Sequence, residues 1–165
     1  MNCIVCRMAV CPAERLTCEA KTGIMIVIGG KTQMDENLME MYALPFVQRH
    51  LLRNRRERVA LLLRRGSDHA WDALRSNPSA VLRPESRHGC AFSLEKADRA
   101  VQAMRERGAG ETVCVVDLFH GDMCEMPLEE GVLEVLAGLS RMAVSPDGRV
   151  ALVKPEVYTD QYLVY

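Results

Sequence analysis

Aromatic side chains are scarce: Phe, Trp and Tyr together make up 5% of the 165 residues. A surface that stacks nucleobases needs aromatics interleaved with basic positions. No stretch has that pattern, so nucleic acid is not an expected partner. Long apolar runs are also missing. The most hydrophobic stretch, 24–28 (Ile-Met-Ile-Val-Ile), falls far short of the roughly 20 residues that a membrane helix requires. No membrane association is therefore expected. A secretory h-region is lacking too, because 8–11 is stopped by Pro12 and lies between Arg7 and Glu14-Arg15. A cytoplasmic location is the expectation. Net charge is nearly zero, with 21 Lys and Arg against 22 Asp and Glu, which gives no overall pull towards a polyanion.

With 48% hydrophobic and 26% charged residues, the composition is that of a globular chain, and the length suits a single domain over 1–165. Residues 1–22 read as an N-terminal hairpin or extension. Cys3, Cys6, Cys11 and Cys18 form C-x2-C-x4-C-x6-C, enough thiolates for a tetrahedral zinc site. An internal echo argues against metal. Arg7-Met8-Ala9-Val10-Cys11-Pro12 recurs as Arg141-Met142-Ala143-Val144-Ser145-Pro146, and the second copy leads into a Pro146-Asp147-Gly148 turn between two strands. The echo maps Cys11 onto a turn residue and Cys18 onto apolar Leu152. The cysteines are therefore expected to be reduced and metal-free, and no cofactor is indicated.

Charge is unevenly distributed. Between Arg49 and Arg65 there are seven arginines (49, 53, 55, 56, 58, 64 and 65) against one acid, Glu57. Between Gly108 and Ser140 there is no Lys or Arg, and there are seven acids: Glu111, Asp117, Asp122, Glu125, Glu129, Glu130 and Glu134. These blocks are either two solvated faces or complementary surfaces.

Hydrophobic periodicity gives a coarse order of elements. The continuous apolar runs 24–28, 59–63 and 112–118 read as strands buried on both faces. Residues 90–92 form a weaker strand. Thr32 and Asp35 signal a helix start with Met34, Leu38 and Met41 on its inner stripe, kinked at Pro45 and continuing to about 54. Ser67 or Asp68 caps a short helix carrying Trp71 and Leu74. Ser93 precedes a helix with Leu94, Ala97, Val101 and Met104 inward, and 128–139 is a fourth, amphipathic helix. Strands alternating with helices predict an α/β fold: a three-layer sandwich with a mainly parallel sheet and antiparallel hairpins at an edge.

In such sheets ligands bind beyond the carboxyl ends of the strands. Three loops qualify. Gly29, Gly30, Lys31 and Thr32 follow the first run, Arg64, Arg65 and Ser67 the second, and Asp117 and His120 the last, with Asp122 and Cys124 close behind. Lys31-Thr32 is not a Walker A motif, because the position of its first glycine is Met25. The expectation is a small anionic ligand, bearing phosphate or carboxylate, held by the first two loops, with His120 or Asp117 as general base. The alternative is a non-enzymatic interaction protein or homodimer that pairs the Arg-rich face (49–65) with the acidic face (111–134). His50 and His88 carry no case for a role.

Overall fold

Alternate residues of the strand Thr112–Asp117 belong to two separate hydrophobic cores, so helices cover both faces of the sheet. The computed structural model describes residues 35–156 and 161–165, all within one compact unit, Thr32–Tyr165. The runs 24–28 and 29–32, the N-terminal cysteines and the first copy of the echo lie outside the described residues. Six strands, β1 (Arg87–Cys90), β2 (Thr112–Asp117), β3 (Met123–Pro127), β4 (Arg141–Val144), β5 (Ala151–Lys154) and β6 (Gln161–Val164), form one sheet in the order β1-β6-β5-β4-β2-β3. Every neighbouring pair is antiparallel.

That finding corrects the expected mainly parallel sheet. Near-continuous apolar strands signal cover on both faces, and parallel sheets are where such cover is commonest. Here an antiparallel sheet has it. Cys114, Val116, Met142, Val144, Ala151, Val153 and Val164 face one core, while Val113, Val115, Ala143, Leu152 and Leu163 face the other. β3, opposite β2, lies in what reads from sequence as a loop. Its residues Met-Cys-Glu-Met-Pro include a proline, tolerated because β3 is an edge strand.

The first core is closed by the helices before the sheet. Asp35 caps α1 (Glu36–Leu38) by accepting the Asn37 N–H at 2.9 Å. A π turn, Met39–Ala43, then joins α1 to α2 (Leu44–His50) just ahead of Pro45, which has no N–H to give to a regular ladder. The inward stripe is Met39, Tyr42, Ala43 and Phe46, whereas Met41, expected inside, is half exposed. Leu38 still packs against this core, but the stripe that buries two rings turns Met41 out, because aromatics carry more apolar area.

α3 (Arg53–Arg64) contains the run 59–63, so that segment is helical and not a strand. Its buried residues, Val59, Ala60 and Leu63, follow helical spacing, and Leu61 is 48% exposed. A short 3-10 turn, Asp68–Trp71, leads into α4 (Asp72–Ser76) and seats Trp71 and Leu74 in the core. The second core lies between the sheet, α5 (Ala97–Arg105) and α6 (Leu128–Ala137). Leu94, expected on the inner stripe, is 52% exposed, because the chain there is a separate 3-10 turn, Leu94–Lys96. Among the described residues no helix is long and apolar enough to cross a membrane.

The β4–β5 connection carries the Pro146-Asp147-Gly148 turn and is pinned to α2. His50 Nε2 donates to the Gly148 carbonyl at 2.8 Å, and Arg49 Nε donates to the Asp147 carbonyl at 3.0 Å.

Candidate functional site

α3 opens against its own dipole. The positive pole of a helix favours acids in the first turn, yet α3 has none there, no side-chain cap, and Arg53, Arg55 and Arg56 in their place. Arg56 is engaged, since its Nε donates to the Leu51 carbonyl at 2.9 Å. Among the described residues, Arg53, Arg55, Arg58, Arg64 and Arg65 have no side-chain ion pair or hydrogen bond.

One side of this helix borders a cavity of about 440 Å³. Arg55, Arg58, Val59 and Leu62 reach it from α3 at i, i+3, i+4 and i+7, the spacing of one helical face. The segment after α3 supplies the facing wall. Gly66, at φ +62°, lets the chain reverse, and the Ser67 side chain accepts the His69 N–H at 3.3 Å. Ser67, His69, Ala70, Asp72 and Ala73 line that wall, and Val81 adds to the apolar floor. The only carboxylate lining the cavity is already neutralised. Asp72 takes His69 Nδ1 on one oxygen at 3.0 Å and Arg75 Nη2 on the other at 3.2 Å. The cavity is therefore electropositive through Arg55 and Arg58.

Arg75 links this wall to the loop after β2. Its Nε also lies 3.6 Å from Glu156, and its guanidinium sits over the Phe119 ring, 4.4 Å from the centroid. Phe119 adjoins His120, whose Nδ1 is 3.3 Å from Asp117 Oδ1. The same Asp117 oxygen accepts the N–H groups of Phe119 and His120, at 2.8 and 3.0 Å, which folds the loop into an Asx turn. Asp117 also borders a second cavity of about 260 Å³ with Asp122, Glu134 and Arg141. His120 lines neither of the two cavities, and its side chain is 75% exposed.

The residues singled out from sequence divide as follows. Gly29, Gly30, Lys31 and Thr32 lie outside the described residues. Arg64 ends α3 and Arg65 caps it, so both sit at a helix end and not beyond a strand. Ser67 lines the larger cavity, Asp117 the smaller, and Asp117 and His120 are together. Contacts through Asp72, Arg75 and Phe119 connect the two loops. Arg55 and Arg58 stand out in the sequence only as members of the Arg-rich block 49–65, and Asp72, Arg75 and Glu156 do not stand out. The first two stand at helical spacing with Val59 and Leu62, a signal hidden once 59–63 is read as a strand.

The acidic block is largely engaged within the chain. Arg105 holds Glu111 and Glu129, Arg141 holds Glu134, and the Tyr42 hydroxyl donates to Glu125. Burial, together with the bond to Glu125, pushes the Tyr42 hydroxyl up to about 12, and burial pushes the Cys114 thiol up to about 12 and the Cys90 thiol to about 11. None of the three is a ready nucleophile. Among the described residues, no group of three His, Cys, Asp or Glu is arranged to hold a metal ion. Comparison with protein-family models, curated proteins and solved structures returns no match to this chain.

Proposed function

We propose that this chain binds a small anionic molecule in the cavity between α3 and residues 67–73, with Arg55 and Arg58 holding the anion. The observation that carries this reading is that Arg55, unpaired in the first turn of α3 where a cation costs stability, and Arg58, unpaired about one turn further on, both border a cavity of about 440 Å³. A local rule broken without compensation inside the fold marks a functional position. The volume lies within the roughly 300–1,000 Å³ of small-ligand sites. Ser67, whose oxygen accepts the His69 N–H, keeps its hydroxyl proton to donate to the ligand.

The homodimer alternative has less support. It needs the acidic block as a counter-surface, and Glu111, Glu129, Glu134 and Asp117 already have cationic or imidazole partners within the chain. The reading also assigns no proton transfer to the exposed Asp117–His120 pair.

Thermal unfolding in graded phosphate and carboxylate anions tests the proposal. A ligand at 100 times its Kd stabilises by about 2.7 kcal/mol, which raises Tm by roughly 5–10 °C for a chain of this size. Phosphate also stabilises proteins by exclusion from their surface, so the decisive comparison is with Arg55→Gln/Arg58→Gln. The specific shift should vanish in that double variant. An equal shift in both proteins contradicts the reading.

A further inference from the structure

The lining of the cavity restricts what can be attached to the anion. Five of its ten lining residues are aliphatic: Val59, Leu62, Ala70, Ala73 and Val81. The one ring that lines it is the His69 imidazole, whose Nδ1 is held by Asp72, and no amide side chain reads a polar edge. Its polar groups open to a ligand are the two guanidiniums, the Ser67 hydroxyl and His69 Nε2, which lies 3.7 Å from Asp68, because both Asp72 oxygens are taken by His69 Nδ1 and Arg75. A nucleoside or sugar placed there would leave donors and acceptors unmet against Val59, Leu62 and Val81, at the cost of their desolvation. An alkyl chain meets no such penalty and gains from burial.

Resting on the anion-binding reading above, we infer that the ligand class is an amphipathic monoanion: a short- to medium-chain aliphatic acid whose carboxylate meets Arg55 and Arg58 and whose chain lies on the apolar floor. Arg58 and Val59 stand next to each other on α3, and Leu62 follows one turn later. Head and chain sites therefore run along one helix face. The volume of about 440 Å³ holds on the order of ten to fifteen water-sized groups, enough for an acid of roughly six to eight carbons.

The test is calorimetric titration of the full chain with acetate, butanoate, hexanoate and octanoate at constant ionic strength. Full burial of a methylene corresponds to about a fourfold gain in affinity, so the series should climb by about three- to fourfold per carbon until the cavity is full. Ala73 is exposed on a short helix, so Ala73→Leu folds readily and fills the floor. It should cut the octanoate-to-acetate affinity ratio by about tenfold. Arg58→Gln should weaken every member of the series. If affinity is flat along the series while Arg58→Gln still weakens it, the aliphatic-body inference is overturned and the anion site stands. If neither these acids nor inorganic phosphate binds, both fall. If binding appears only on anionic lipid vesicles and ignores Arg58→Gln, the surface meets a membrane and the inference is overturned.

Discussion

His50 can donate from only one of its ring nitrogens. Nε2 gives its proton to the Gly148 carbonyl, and Nδ1 is buried without a partner. A second proton would put an unpaired cation beside Phe46, with Arg49 and Arg83 adding repulsion, so burial holds the His50 pKa below its usual value near 6.5. The unfolded chain then takes up the proton first as pH falls. His50's contribution to stability is complete above about pH 6.5 and is lost as pH drops through the window below it. Urea midpoints should fall across that window in the natural chain and stay flat in His50→Gln, whose amide still donates to Gly148. An equally flat natural chain would show that the ring is not held neutral. Gly148 is the partner residue in this contact. It sits at φ +59°, and a Cβ there would overlap the Pro45–Phe46 backbone. Gly148→Ala should cost about 3 kcal/mol or more, from left-handed strain of roughly 1–2 kcal/mol plus the clash. Gly66→Ala, with a similar φ and open space around it, should cost the strain alone, and chemical denaturation of the two variants checks the difference. The turn itself was legible, because Pro-Asp-Gly has local chemistry. The fate of His50 was not, since its partner lies 98 residues away.

At the scale of elements, α3 is where reading and structure diverge most. Five consecutive apolar residues, 59–63, fit a buried strand as well as one side of a helix, and periodicity cannot choose within so short a window. The deciding information lies upstream, in Arg53–Arg58, whose straight-chain residues favour a helix, and downstream at Gly66, where the chain reverses. The same error displaced the expected site. A strand over 59–63 makes Arg64 and Arg65 its end residues, while Arg55 and Arg58, one to three turns earlier on α3, are the ones at a cavity. α3 also permits a test that separates binding from folding. Arg55→Glu puts an acid where the dipole prefers one and should raise stability by about 0.3–1 kcal/mol in urea denaturation. The same variant should lose its response to anions. A variant that is both less stable and still responsive would remove α3 from the account. By contrast, 128–139 reads as a helix from its helical period of apolar and acidic positions, and α6 (Leu128–Ala137) follows it with Leu128, Val132, Val135 and Leu136 buried, but it stops at Gly138 and leaves Leu139, expected inside, 70% exposed.

For the whole molecule, the sequence carries the number of covered faces more clearly than the direction of the strands. Val113–Val116 is buried throughout, and a fully buried strand reports helices above and below it. It does not report whether its neighbours run with it or against it. Direction depends on connections, and here the β2–β3 link, residues 118–122, is too short for a crossover to a parallel strand. The candidate site was legible to a similar extent. A positive segment, a cap at Ser67 and an Asp117–His120 pair could all be read locally. That the pair stands outside the larger cavity, joined to its wall through Asp72, Arg75 and Phe119, belongs to the packing of distant segments. The central claim is that an anion enters between α3 and residues 67–73. The most direct test is a nuclear magnetic resonance titration with octanoate that follows the arginine Nε–H and backbone amide signals. The account predicts shifts confined to Arg55, Arg58, Ser67, His69 and their neighbours, saturating together with one Kd. Shifts centred on residues 117–122, or spread evenly over the surface arginines without saturation, would contradict it.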